Sequence, residues 1–286
     1  MHALFLESPI LIPTQGDAPT LHLFGTPRVV HAGRRLEVPE GSKRLLAFVA
    51  LNGGWVERRH AAGTLWPLGD DLRAAGNLRS ALWRLKAAGI DVLDSDKCSL
   101  SMREHTVVDL YVLRDWAGRL IADTATPADL CTFKWRADAL DLLPGWYDDW
   151  VLIERERIRQ RLLHGLEALS RHLVRVGRYA EAVESAMVAV GVEPLRESAQ
   201  RVLIEAHLAE GNLVEAMRSY DAYRSLTGRE LGVEPGRELS LLLRTHCDSV
   251  RRSGARTPDR LATLPTTTGV PSGAPVAATG GATERS

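Results

Sequence analysis

Along residues 71–89 the apolar positions recur at helical spacing. Wound at ~100° per residue, Leu78, Leu82 and Leu85 share one face, with Ala75 and Ala81 beside it. That stripe predicts a core-facing side. Arg73, Asn77, Ser80, Arg84 and Ala87 point the other way, Trp83 sits on the shoulder, and Arg79 and Lys86 flank the stripe. Asp70 is placed to cap this helix and Gly89 to end it. The outer face holds no acid after Asp71. A solvated helix face usually mixes both signs, so this one suits an anionic partner.

The neighbouring pattern supplies a context for that helix. Thr20 to Val38 reads as strands: LHLFG, then RVV, a turn at Ala32-Gly33, and RLEV. A helix is expected over Ser42 to Leu51, with Ser42 as its N-cap and Gly53-Gly54 as its stop. A second runs from Glu57 to Trp66 and is closed by Pro67. After the third helix, Val92-Leu93, a polar turn Asp94 to Lys97, and Ser99 to Met102 form a hairpin. Strands, three helices and a hairpin, with a short link between the second and third helices, are the layout of a helix-turn-helix followed by a β-hairpin wing.

From about Asp109 to nearly residue 250 the pattern is helical. Leu169, Gly177, Glu181, Ala182 and Ser185, shifted by 34, land on identical residues at Leu203, Gly211, Glu215, Ala216 and Ser219. That period with those residue types is the tetratricopeptide signature of stacked helix pairs. Pro194 falls where a repeat would end, and two repeats need flanking helices to cap them. Val151 to Val174 and Arg237 to Val250 are the candidates. Residues 1–19 and 251–286 are expected to be disordered tails, the second because Gly, Pro, Thr and Ala dominate it.

Bulk composition narrows the function classes. The 286 residues carry no net charge at a sequence pI near 7.1, so any basic surface is local. Between Glu40 and Ile90 it is. Lys43, Arg44, Arg58, Arg59, Arg73, Arg79, Arg84 and Lys86 face only Glu40, Glu57, Asp70 and Asp71. Three cysteines, far apart, fit reduced thiols in a cytosol. The N-terminal stretch lacks a basic region and a cleavage site, and no apolar run is long enough to span a membrane, so a cytoplasmic location is expected. The histidines form no H-E-x-x-H motif, and Gly41-Ser42-Lys43 lacks the phosphate-loop spacing. In ERERIRQR (Glu154 to Arg161) the charges pair at i+3 and i+4, which reads as surface ion pairing rather than a catalytic dyad. No enzyme, metal or cofactor is expected.

Four stretches carry a family resemblance: LLAFVALNGGWVERRHAAGTLWP, NLRSALWRLK, LPGWYDDWVLIERERIRQ, and the run from EPLRESAQ to VEPGREL. The front half resembles the winged-helix domain of bacterial response-regulator outputs. Residues 20–250 as a whole resemble the Streptomyces antibiotic regulatory protein (SARP) type of transcriptional activator, in which a bacterial transcriptional activator domain follows the winged helix. The fold so implied is mainly α. A winged helix over 20–108 precedes an all-α, tetratricopeptide-like domain over 109–250.

The resemblance also implies a cytoplasmic activator, often of secondary-metabolite genes. Such a protein binds double-stranded DNA as direct repeats, associates with itself on them, and contacts RNA polymerase. By the family's layout Arg73, Asn77, Ser80 and Arg84 form the base-reading face, since Arg and Asn can make bidentate contacts to guanine and adenine edges. Trp83 either packs on sugar and phosphate or closes the core. Ser42, Lys43 and Arg44 at a helix N-terminus suit a phosphate, as does Arg58. At the wing Lys97 or Arg103 would touch backbone at most, because Asp94 and Asp96 repel it. The rival reading is an adaptor whose helical repeats hold a partner peptide.

Overall fold

The computed structural model describes residues 18–130 and 141–254. The expected tails, apart from the few residues adjoining these bounds, lie outside them, as do Cys131 and Lys134.

The chain opens with β1 (Thr20–His22), β2 (Arg28–His31) and β3 (Arg34–Leu36). They form antiparallel pairs, with Leu21 opposite Val29 and Val29 opposite Leu36. The turn between β2 and β3 places Ala32 and Gly33 at positive φ, as the sequence Ala-Gly suggested. Then come α1 (Glu40–Leu51), β4 (Trp55–Glu57), α2 (Arg58–Leu65) and α3 (Asp71–Ala87). β5 (Leu93–Ser95) and β6 (Ser99–Met102) form the expected hairpin. β4, not foreseen, adds a third strand by pairing Val56 with Leu100. Its three residues are too few to show a period. β7 (Val107–Val108) returns to the first sheet and lies parallel to β1, giving the order β3-β2-β1-β7.

The remainder is helical: α4 (Asp109–Ile121), a 3-10 turn at Pro127–Leu130, α5 (Asp149–Arg175), α6 (Tyr179–Val192), α7 (Glu197–Glu210), α8 (Leu213–Leu231) and α9 (Arg237–Gly254). The 34-residue echo is visible in the backbone. Gly177 ends α5 at φ +77° and Gly211 ends α7 at φ +85°, so each helix pair turns at the same left-handed position. Val151 to Val174 is not a separate cap, because α5 contains Leu169 and is itself the first helix of the first pair. α4 packs on its outer side instead.

One continuous apolar core runs from Leu21 in β1 through Phe48, Leu78 and Leu113 to Leu163 and Leu173 in α5. The two halves are sewn together at two places. Asp109, at the first turn of α4 and 1% exposed, accepts hydrogen bonds from the backbone N–H groups of Leu23, Phe24 and Leu110. The segment before α5 lies along the first sheet. Leu143 N donates to Leu23 O, and Gly25 N to Asp141 O. Arg155 closes that segment by donating to the carbonyls of Leu142, Leu143 and Trp146. Trp150 then meets Phe48 of α1 edge-on at 5.1 Å.

Candidate nucleic-acid interface

α3 starts where Asp70, in extended conformation, accepts a hydrogen bond from Arg73 N at 2.7 Å. A carboxylate there satisfies an orphan donor and complements the helix dipole, while Arg84 and Lys86 in the last turn suit its opposite end. The helix buries Ala74, Leu78, Ala81 and Leu85 against α1 and α2. Leu82 is only half-buried. Small Ala74 and Ala81 let the neighbouring helices approach closely, and this turns the alanine side inward.

The outward direction therefore differs from the expected one by roughly 70° of helical rotation. Leu72 (83% exposed), Gly76, Arg79 and Trp83 (71% exposed) lie opposite the buried residues. Arg73, Asn77 and Arg84 lie on the flank nearer α1. Asn77 is half-buried, and the Arg84 guanidinium rests beside Gly41, so close that a Cβ there would stand 2.7 Å from Nη1. Ser80 is exposed, with its hydroxyl donated to Gly76 O at 3.1 Å. Trp83 is too exposed to close the core, which leaves the outward alternative.

The cations divide into two groups. Ser42, expected to hold a phosphate, is a correction. α1 begins two residues earlier, behind Pro39, and Ser42 is fully buried, donating its hydroxyl to Ala81 O at 2.9 Å. It holds α1 to α3 and cannot reach solvent. Lys43 is mostly buried and pairs with Glu40. Arg44 pairs with Asp148 ahead of α5. Arg58 donates to Ser95 Oγ and to Asp96 O, tying α2 to the hairpin. Arg59 pairs with Asp71 at 2.9 Å, and this bond raises its pKa. By contrast, Arg73, Arg79, Arg84 and Lys86 on α3 and Lys97 at the hairpin tip have no side-chain hydrogen bond or ion pair among the described residues. Apart from Arg34 on β3, the cations of this unit without a polar partner among the described residues lie on α3 and the wing.

The hairpin's acids, expected to repel DNA, are exposed and engaged in local contacts. Asp94 pairs with Arg103 at 3.2 Å, and Arg103 also pairs with Asp91. Asp96, exposed, caps its own turn and accepts from Ser99 N at 2.6 Å, Ser99 Oγ at 2.8 Å and Cys98 N at 2.7 Å. Those donors, Ser99 first, hold its carboxyl below the usual carboxylate range. Lys97 is left projecting. A cleft between α2, α3 and the wing is bordered by Arg59, Leu72, Arg79 and Lys97.

Elsewhere ERERIRQR is an ion-pair array, with Arg157 paired to Glu154 and Arg159 to Glu156 and Glu193. Among the described residues no group of three or more His, Cys, Asp or Glu side chains is placed to hold a metal ion. No described helix is long and apolar enough to cross a membrane.

Comparison with known proteins places this geometry. The bacterial transcriptional activator domain matches residues 119–245. The regulatory protein AfsR of Streptomyces griseus is 30% identical over 248 residues, which are 81% of this chain and 25% of AfsR, so the chain spans a quarter of that relative. The structure of Mycobacterium tuberculosis EmbR in complex with a low-affinity phosphopeptide superposes with a TM-score of 0.59 at 16% identity, covering 81% of this chain and 65% of that one. At that identity the likeness concerns the fold: a winged-helix-like unit with strands, followed by a helical domain. In joining such a unit to a segment that matches the bacterial transcriptional activator domain, the chain is similar to the SARP type of transcriptional regulators.

Proposed function

We propose that this regulator is a sequence-specific DNA-binding activator that places α3 in the major groove and Lys97 of the wing on the adjacent backbone. The observation that carries the reading is the division of cations. Those of α1 and α2 each have a polar partner within the fold, whereas those of α3 and Lys97 at the wing tip have none among the described residues, and Arg79 and Lys97 border one cleft. Each phosphate neutralised releases counterions, so a local patch is enough in a chain of zero net charge. Contact with RNA polymerase fits an activator and rests on the family. Binding to direct repeats, self-association on them, secondary-metabolite targets and a cytoplasmic location belong to the same reading and rest on the family.

The test is salt dependence with the full chain. Binding to duplex DNA should weaken as salt rises, and Lys97→Ala should flatten the log K against log[salt] slope by ~1. Salt-insensitive or absent binding sinks the reading and favours the adaptor alternative, in which the helical repeats hold a partner protein. Excising residues 20–108 is a poor test, because that cut removes Asp109 and the core residues of α4.

A further inference from the structure

We infer that Arg79, rather than Arg84, is the residue of α3 that reads a base edge. This rests on the DNA-binding reading and specifies it. A helix lying in the major groove, ~12 Å wide and ~8.5 Å deep, brings the side chains farthest from its own domain deepest into the groove. Its flanks meet the sugar-phosphate walls. The inward direction of α3 is fixed by Ala74, Leu78, Ala81 and Leu85, so the outward positions are Leu72, Gly76, Arg79, Ser80 and Trp83. Among these five, Arg79 alone carries a forked donor able to bond both acceptors of a guanine edge.

The local chemistry favours the same residue. Gly76 lies one turn before Arg79 and offers no side chain, and Arg79 Nη2 lies 3.8 Å from where a Cβ at that glycine would be. The guanidinium thus folds back over the bare glycine, on an exposed side of the helix. No acid pairs with it among the described residues, whereas Arg59, across the same cleft, is held by Asp71. Trp83 stands one turn further along with its ring exposed, placed to lie against a base-pair edge such as a thymine methyl. Arg84 sits on the flank against the first turn of α1, where its charge meets the DNA backbone.

The experiment starts from a random-sequence duplex library. The full chain is used to select its preferred sequence, and wild type, Arg79→Ala, Arg79→Lys and Arg84→Ala are then titrated with the selected and with scrambled duplexes. Arg79→Ala should lose roughly 10-fold or more on the selected duplex and relax preference at one guanine. Its binding to scrambled duplex should change far less. Arg79→Lys keeps the charge and loses the fork, so it should leave scrambled binding intact without restoring the preference. Arg84→Ala should weaken both duplexes together. The inference is overturned if Arg79→Ala lowers both duplexes equally, or if the position-specific loss appears in Arg84→Ala. A wild type that enriches no sequence overturns the DNA-reading assignment itself, a result distinct from an enriched motif that Arg79→Ala leaves unchanged. All variants are at exposed positions, and circular dichroism confirms their folding.

Discussion

Ser42 donates its hydroxyl to the carbonyl of Ala81 at 2.9 Å, with no exposure to solvent. This fastens α1 to the middle of α3. Ser42→Ala should therefore cost ~1 kcal/mol in urea unfolding, the net worth of one buried hydrogen bond. It should leave DNA affinity unchanged. A phosphate contact would do the reverse, weakening DNA binding with no loss of stability.

Asp109 is the corresponding fastening between the two halves. Its carboxylate serves three backbone N–H groups, and Asp109→Ala would orphan those of Leu23 and Phe24 inside the core. The expected loss is ~3 kcal/mol or more. Asp109→Asn, which retains one acceptor oxygen, should fall between. Since one core joins the winged-helix unit to α5, calorimetry on the wild type should show both melting in a single transition. Separate transitions would mean that the shared core does not couple them.

Gly165, buried in α5, allows the helix to press on α4. A Cβ there would lie 2.9 Å from Ala117 Cβ and 3.2 Å from its Cα. The Cα is backbone and cannot swing aside. Despite its better helix propensity, Gly165→Ala should destabilise the protein by ~1–3 kcal/mol through forced separation of the helices. Unchanged or raised thermal stability would show that α4 yields.

Acid should expose the Asp129 site. Bonds from Arg119 and then from Thr126 hold its carboxyl at about 2, below the ordinary value of 3.8. A depressed folded pKa stabilises above the unfolded pKa, and that share is lost as pH falls from about 4 toward 2. Arg119 is 44% exposed, so the contribution is ~1 kcal/mol rather than the full shift. Asp129→Asn should be less stable than wild type at pH 6, with the gap closing near pH 2. A gap independent of pH would show that the ion pair contributes nothing.

The sequence by itself determined the elements that rest on near neighbours. Asp70 and Gly89 marked the ends of α3 because capping is settled within one turn. The Ala32-Gly33 turn, the wing hairpin and the 34-residue echo were visible for the same reason: each needs only local backbone geometry or a repeated local packing pattern. The start of α9 at Arg237 was legible too.

Tertiary structure decided which way those elements face and which charges remain free. Leucines outweighed alanines in the periodic pattern, yet close helix packing buries Ala74 and Ala81 and leaves Leu82 half-covered. That rotation moved Arg79 from flank to front. Burial of Ser42 followed from α1 lying against Ala81, which no spacing within α1 encodes. Arg44 found Asp148, 104 positions away, and Arg58 found the hairpin, so both cations tie distant parts of the chain together. Helix faces and ion-pair partners are set by long-range packing, because a side chain's free energy depends on what the fold brings against it.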